Sequence, residues 1–316
     1  MPKRQILQMG GLPEWDETPL NDAYEVHRYF DATDKASFLA QVGPKIQAIA
    51  TRGDLGASAD VISACPALKV ISVYGVGYDA VDLAACETRG IAVTNTPDVL
   101  TDDCADLALG MWLALSRGIV AAEAWARSGD WARKGGFPLQ HRACGKRAGV
   151  LGLGRIGMAV AQRLEGFGMQ ISYTTRTPRA EAGSWQYIAD AKELASQSDV
   201  LFVTLAATPE THHIVDADVL RALGPDGLLI NISRAQNIDE RALLDALEQG
   251  RLRGAALDVF EGEPALDPRF TRLSNVLLQP HHASGTFETR RAMGQLLREN
   301  LAAHFAGRPL LTQVNT

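Results

Sequence analysis

Three side chains that can bind a carboxylate or move a proton follow three separate apolar runs in the second half of the chain. Arg234 ends the segment NISR, Glu263 ends LDVFEGE, and His281 follows LLQP. If these runs are parallel strands of one sheet, the three residues lie at the edge where open α/β sheets hold ligands. The set predicts carboxylate binding combined with proton transfer. Each residue taken singly has an ordinary alternative as a surface arginine, a turn acid or a packed core histidine.

A glycine-rich turn opens the same half of the chain. The pattern GLGRIG, with Gly152, Gly154 and Gly157, stands between the apolar run AGVL and the helical run MAVAQRLEGFG. The first glycine permits a tight turn, the second lets the backbone approach a pyrophosphate, and the third allows close helix packing. The context predicts a dinucleotide site that includes Arg155 and Ile156, although purely structural glycines would give the same pattern.

The choice between the two nicotinamide dinucleotides depends on the end of the next strand. An NAD site carries Asp or Glu about 20 residues beyond the glycines, but here the strand ends at Thr175, Arg176 and Thr177. Arg176 offers a planar fork of donors to a 2′-phosphate, with the two threonines and Arg179 as helpers. NADPH is therefore the predicted cofactor, and a solvent-facing Arg176 is the alternative.

The alternation of strand-like and helix-like segments predicts the fold class. Short apolar runs alternate with helical segments in the first hundred residues and again after Gly149, which is typical of parallel crossovers. We predict two doubly wound α/β domains with a cleft between them. A flavodoxin-like substrate domain would comprise residues 1–99 and 287–316, and a Rossmann cofactor domain residues 100–286. The segment from Glu288 to Ala306 is predicted to be a helix that crosses back to the first domain.

The composition excludes several classes of protein. A net charge of −6 disfavours binding to nucleic acid or to an anionic membrane. Four scattered cysteines without a C-x-x-C pair predict reduced, mostly buried thiols and no metal site. The start of the chain has no secretory signal, so a cytoplasmic location is expected.

One long apolar stretch, Leu107 to Ala126, is interrupted by Arg117 and Glu123, which favours a buried helix over a membrane span. This helix is predicted to start near Thr101 and to end before Ser128.

Together the motifs resemble the D-isomer-specific 2-hydroxyacid dehydrogenase family. The resemblance covers nearly the whole chain and is carried by VYGVGYDAVD, TNTPDVLT, GLGRIG, and PH followed by SGT. The segments TDDCAD, LGPDG and GTFETR resemble the NADPH-using branch that reduces glyoxylate, hydroxypyruvate and hydroxyphenylpyruvate. The resemblance implies reduction of a small 2-keto acid to a D-2-hydroxy acid.

The resemblance also implies roles for individual residues. His281 would protonate the carbonyl oxygen, and Glu263 would bind its other ring nitrogen and favour the imidazolium. Arg234 would bind the substrate carboxylate and polarise the carbonyl. The backbone amides of Val76 and Gly77 would receive the other carboxylate oxygen, so that the substrate bridges both domains.

Further assignments depend on less specific signals. Asp258 would position the nicotinamide carboxamide, and Thr101 and Ser284 stand in motifs expected beside the cofactor. Arg52 is a candidate substrate contact because it ends a strand of the first domain. His282 stands where the family has an apolar residue, so we interpret it as structural.

One departure concerns the loop of the catalytic arginine. The family commonly has Gly-Arg-Gly there, but this chain has Ser233-Arg234-Ala235, and a Cβ at position 235 restricts positive φ. A locally different loop or cofactor contact is therefore expected.

Two other functions compete with the reductase. A non-enzymatic dinucleotide sensor, like the corepressor relatives of this fold, is disfavoured by the complete Arg, Glu and His set. An NAD-dependent 2-hydroxyacid dehydrogenase with another substrate, such as phosphoglycerate, is disfavoured by Arg176. A formate-type dehydrogenase would have Gln in place of Glu263.

A homodimer is expected from the long apolar helix and from Trp112, Trp125 and Trp131, and the family resemblance implies the same. The alternative is that these side chains belong to the core of a single subunit.

Overall fold

The computed structural model describes residues 3–315. Its internal contacts divide the chain into a first unit, Met1–Leu100 with Ser284–Thr316, and a second unit, Thr101–Ala283. Each unit is built on a parallel sheet with helices on its faces, which confirms the predicted α/β class.

The first unit has a five-stranded parallel sheet in the order β2-β1-β3-β4-β5. Its strands are β1 (Arg4–Gln8), β2 (Tyr24–Arg28), β3 (Ala48–Arg52), β4 (Val70–Tyr74) and β5 (Ala92–Thr94). The connecting helices are α1 (Glu14–Ala23), α2 (Lys35–Val42), α3 (Ala59–Ala64) and α4 (Leu83–Arg89). All five residues of β4 are buried, as expected for a central parallel strand covered on both faces.

The second unit has seven parallel strands in the order β12-β11-β10-β9-β6-β7-β8. The strands are β6 (Arg147–Leu151), β7 (Gln170–Thr174), β8 (Gln186–Tyr187), β9 (Val200–Val203), β10 (Leu228–Asn231), β11 (Gly254–Leu257) and β12 (Val276–Leu278). The helices are α5 (Thr101–Arg117), α6 (Ile119–Arg127), α7 (Asp130–Lys134), α8 (Arg155–Glu165), α9 (Ala191–Ser196), α10 (Ala217–Leu223) and α11 (Glu240–Glu248). The strand order reverses between β6 and β9, and this switch point is where doubly wound sheets bind dinucleotides.

The single long helix predicted from Thr101 is wrong, because the chain bends by 61° between α5 and α6. Gly118 lies at the break with a φ of 58°, a left-handed conformation that glycine adopts without steric cost. Among residues 3–315 no single helix is long and apolar enough to cross a membrane, and only the bent pair α5–α6 has that length and composition.

The side chain of Trp112 lies in the core of the second unit and not on its surface. It is 2% exposed and packs edge-on against Phe167 and Phe202 inside the second unit. Its predicted place in a subunit interface is therefore wrong, because α5 turns this face toward the sheet. Trp131 is instead 68% exposed.

The last helix, α12 (Phe287–Phe305), completes the first unit, which confirms the predicted crossing. The hydroxyl of Tyr74 donates to the carbonyl of Arg290 at 2.8 Å. Beyond the helix the chain lies along β5, where the amide of Val314 donates to the carbonyl of Val93 at 2.8 Å.

The cysteines are free thiols, three of them buried and Cys144 exposed, which agrees with the prediction. Burial raises the pKa of Cys65 and of Cys86 to about 11, so both remain protonated at neutral pH.

Candidate active site

The glycine turn has the geometry of a pyrophosphate cradle. Gly152 follows β6 with a φ of 101°, and Gly154 is the N-cap of α8 without a side-chain cap. A Cβ on Gly154 would meet no atom within 4 Å, so the turn is open on that side. A Cβ on Gly157 would collide with the carbonyl oxygen of Gly152 and lie 2.7 Å from Oγ1 of Thr204. The turn therefore needs glycine at 157, and its residues fit a dinucleotide held at a helix N-terminus.

The residues predicted to bind the 2′-phosphate lie beside this turn. Leu151 pairs with Thr174, so the residues that follow them, Gly152 and Thr175, continue from adjacent strand ends. Oγ1 of Thr175 donates to the carbonyl of Thr177 at 2.6 Å, and the side chain of Arg176 between them is exposed.

Arg176 has an acidic neighbour in the loop after β9. A hydrogen bond from Thr208 and one from its own backbone amide lower the pKa of Glu210, and the Arg176 charge adds a smaller lowering. The strand end thus presents one cation and two hydroxyls, the donor set that a phosphate requires.

His281 and Glu263 form a direct hydrogen bond in the loops after β12 and β11. Nδ1 of His281 lies 2.7 Å from Oε2 of Glu263, and the amide of Phe260 donates to Oε1 of Glu263 at 2.7 Å. Burial raises the pKa of Glu263, but the hydrogen bonds and the charges of His281 and Arg234 hold it below its ordinary value. An ionised Glu263 accepts the proton of Nδ1 and so leaves Nε2 for proton transfer.

The backbone of His281 is held in an unusual conformation. Its φ is 52°, in the left-handed region, which costs a non-glycine residue about 1–2 kcal/mol. The next two amides explain how it is kept there. The amide of His282 donates to Oδ1 of Asp258 at 2.7 Å, and that of Ala283 to Oδ2 at 2.9 Å.

Asp258 therefore anchors the histidine loop, a function that sequence reasoning missed. Its side chain is fully buried directly after β11, and burial raises its pKa while the two amides oppose that rise. The side chain of the neighbouring His282 is exposed, so only its backbone takes part in this anchor.

Arg234 lies at the same sheet edge, because β10, β11 and β12 end in register at Asn231, Leu257 and Leu278. The Arg234 charge contributes to the low pKa of Glu263, which places the two side chains within electrostatic reach. The structure thus brings Arg234, Glu263 and His281 together.

The segment Ser233-Arg234-Ala235, which differs from the family's Gly-Arg-Gly, folds without backbone strain. Ala235 begins a short 3₁₀ turn with negative φ, so the Cβ at this position does not distort the loop. The hydroxyl of Ser233 donates to Oδ1 of Asn231 at 2.7 Å and accepts from Nδ2 of Asn237 at 3.0 Å. Nδ2 of Asn231 in turn donates to the carbonyl of Arg234 at 3.3 Å. This buried network holds the arginine loop where the family commonly has glycines.

The first unit carries its predicted residues at the ends of β3 and β4. Nδ2 of Asn95 donates to the carbonyl of Val76 at 2.9 Å, which fixes the loop after β4. Within residues 3–315 the amides of Val76 and Gly77 have no protein acceptor, so both can donate to an anion. Arg52 is engaged by Asp54 through two hydrogen bonds of 3.0 and 2.5 Å, so a substrate would compete with this ion pair.

Two further residues predicted to contact the cofactor, Thr101 and Ser284, have fewer defined contacts. Thr101 is the first residue of α5, and Ser284 follows the anchored histidine loop; both are half-buried. In the described part of the chain no group of three or more His, Cys, Asp or Glu residues is arranged to hold a metal ion.

The strand order, the glycine cradle and the His281–Glu263 pair define a nicotinamide-dependent oxidoreductase. The family model for the NAD-binding domain of D-isomer-specific 2-hydroxyacid dehydrogenases matches residues 109–283. The chain belongs to this family.

Similar proteins cover nearly its whole length. A hydroxyphenylpyruvate reductase of Plectranthus scutellarioides is 46% identical over 309 residues, 98% of each chain. A glyoxylate/hydroxypyruvate reductase of Arabidopsis thaliana is 44% identical over 309 residues, also 98% of each.

Solved structures of related proteins have the same fold. A 2-hydroxyacid dehydrogenase from Ketogulonicigenium vulgare is 66% identical, with a TM-score of 0.93 over 99% of both chains. An NADPH-dependent glyoxylate/hydroxypyruvate reductase from Sinorhizobium meliloti, in complex with NADP and malonate, is 41% identical. Its TM-score is 0.93 over 99% of this chain and 97% of that one.

Proposed function

We propose that the chain reduces small 2-keto acids, glyoxylate and hydroxypyruvate foremost, to D-2-hydroxy acids with NADPH. The observation that carries this proposal is the 2.7 Å His281–Glu263 hydrogen bond at the sheet edge that also bears Arg234. The relatives named as reductases of these keto acids support it.

Each functional residue of the second unit has a separate role in the reaction. NADPH supplies a hydride to the keto carbon when it is bound. His281 donates the proton on Nε2 to the carbonyl oxygen, so the carbonyl becomes an alcohol and the imidazole takes up a new proton from solvent. Glu263 holds the ring through Nδ1, which leaves Nε2 as the proton donor. Arg234 binds the substrate carboxylate and polarises the carbonyl.

Substrate binding in this scheme also uses the first unit. The amides of Val76 and Gly77 receive one carboxylate oxygen, and Arg52 contacts the substrate tail after separating from Asp54. We assign substrate binding to the first unit and NADP binding to the second on these grounds.

The cofactor contacts come from three segments of the second unit and its border. The glycine turn with Arg155 and Ile156 holds the pyrophosphate, and the segment 175–177 holds the 2′-phosphate. Asp258, Thr101 and Ser284 complete the set on the nicotinamide side.

A homodimer completes the proposal. Four apolar side chains of α6, α7 and the segment after α7 are at least half exposed: Ile119, Val120, Trp131 and Leu139. They lie on one stretch of chain, and two of them, Val120 and Leu139, line a groove of about 400 Å³. A second copy would bury these side chains, so light scattering should give twice the chain mass of 34.0 kDa. A mass of one chain would refute the dimer.

The test of the activity is an initial-rate assay with glyoxylate, hydroxypyruvate, pyruvate and phenylpyruvate, each with NADPH and with NADH. His281→Ala should lose at least about a hundredfold in kcat, because the general acid is removed. His282→Ala is the matched control, since its side chain is exposed and the substitution keeps the backbone amide that donates to Asp258. A protein that binds NADPH but reduces no keto acid would favour the sensor instead.

A further inference from the structure

A third carboxylate lies behind the His281–Glu263 pair. Glu240 is the first residue of α11, and only 8% of it is exposed. Its Oε1 accepts a hydrogen bond of 2.6 Å from the backbone amide of Glu261. Glu261 stands two residues before Glu263, in the loop that Glu263 itself closes by accepting from the amide of Phe260. The loop is therefore fixed at its middle by Glu240 and at its ends by Glu263.

We propose that Glu240 is a positioning residue, whose buried carboxylate holds the loop at the Glu261 amide so that Glu263 meets Nδ1 of His281. This inference rests on the proposed reductase function. Glu240 acts through Glu263, and its own contacts are to the backbone of the loop.

The charges around Glu240 make its hold on the loop dependent on pH. Burial raises its pKa, the Glu261 amide opposes the rise, and the carboxylates of Glu261, Asp267 and Glu263 add to it, for a value of about 7. The basic side chains of the surrounding loops, His213, His281 and Arg234, act on carboxylates other than Glu240.

Nε2 of His213 lies 3.7 Å from Glu261, while His281 and Arg234 act on Glu263. On α11 itself, the neighbouring Asp239 caps the helix by accepting from the amide of Ala242.

Ionisation of Glu240 therefore has opposite effects on activity and on stability. Above pH 7 the hydrogen bond to the loop becomes charge-assisted and about twice as strong, which fixes Glu263 better. The same charge is costly to bury. The folded protein keeps this proton up to about pH 7, whereas the unfolded chain releases it near the ordinary value of 4.5. The stability contribution of this group is thus highest below pH 4.5 and falls as the pH rises to 7.

The experiment compares Glu240→Gln, Glu240→Ala and the control Glu248→Gln at the other end of α11, where Glu248 pairs with Arg269. Glutamine keeps an acceptor oxygen and removes the charge. We would measure kcat and KM for hydroxypyruvate at pH 6, 7 and 8, and the thermal midpoint at pH 5 and 8.

For Glu240→Gln we expect a kcat close to wild type at pH 6 and about fivefold lower at pH 8, the difference between a charged and a neutral hydrogen bond. KM for the keto acid should change little, because the Arg234 loop is not touched. The thermal midpoint should exceed that of wild type at pH 8 and match it at pH 5. Glu240→Ala should lose kcat at every pH, and Glu248→Gln should keep the wild-type pH profile.

A Glu240→Gln to wild-type ratio of kcat that is constant from pH 6 to 8 would overturn the inference. So would activity and stability that fall together at pH 8, because that is the behaviour of a merely structural residue. If Glu240→Ala fails to fold, Glu240→Gln decides alone. A wild-type protein that reduces no keto acid would instead overturn the proposed function, and the two failures are therefore distinct.

Discussion

Replacing Arg176 by alanine should change the preference between NADPH and NADH without changing the chemistry. The guanidinium is exposed at the end of β7, with Thr175 and Thr177 on either side and the exposed Glu210 as its acidic neighbour. Because this neighbour is solvated, little is lost when the arginine turns to a phosphate. Charge-assisted hydrogen bonds to the phosphate contribute about 1.5–2 kcal/mol after allowance for solvent screening. That corresponds to a rise of about 10- to 30-fold in KM for NADPH.

The assay is initial-rate kinetics with each cofactor at saturating hydroxypyruvate. KM for NADH should stay within about twofold of wild type, since NADH has no 2′-phosphate to lose. Added salt should raise KM for NADPH more in wild type than in Arg176→Ala, because screening weakens only the contact that is present.

Arg251→Ala is the matched control. Arg251 is an exposed arginine that precedes β11, so it lies at the opposite edge of the sheet from the glycine turn. Equal rises in KM for both cofactors would refute the reasoning, because Arg176 would then support the turn itself.

Three further changes test other parts of the site. Glu263→Gln should lower kcat about tenfold, because the charged acceptor that holds Nδ1 of His281 is replaced by a neutral one; a kcat equal to that of wild type would contradict this. Gly157→Ala should raise KM for NADPH at least about tenfold, since the new Cβ displaces the carbonyl of Gly152, and unchanged dinucleotide titrations would count against the cradle. Ser233→Gly should raise KM for the keto acid about fivefold by loosening the loop of Arg234, with KM for NADPH as the internal control.

The parallel strands other than β8 were predictable because short apolar runs alternate with helical segments, and some of these runs are followed by a chemically distinct residue. β10, β11 and β12 carry this pattern most clearly, and with it the positions of Arg234, Glu263 and His281. The bend at Gly118 was not predictable in the same way, because a glycine inside an apolar periodic segment is compatible with an unbroken helix. The two-residue strand β8 is too short for any period to be visible.

The supporting residues of the site were harder to foresee than the residues that do chemistry. Asp258 was assigned to the nicotinamide on the family pattern, but its two amide contacts with the histidine loop join residues 24 and 25 positions apart. Glu240 looked like an ordinary acid in the first turn of a helix. Its burial follows from the approach of a loop that starts 20 residues later, and sequence periodicity carries no information on such an approach.

The path of α12 sets an order for folding during synthesis. The first unit includes this helix and the residues that follow it. Val314 and Asn315 both form hydrogen bonds with the backbone of Val93 in the edge strand β5. In the sequence, the second unit stands between the two pieces of the first. The ribosome therefore releases all strands of the second unit before the first unit can be completed. The nascent chain must therefore keep residues up to Leu100 incompletely packed while Thr101–Ala283 folds. Loss of the last few residues would weaken the unit made earliest, not the one adjacent to them in sequence.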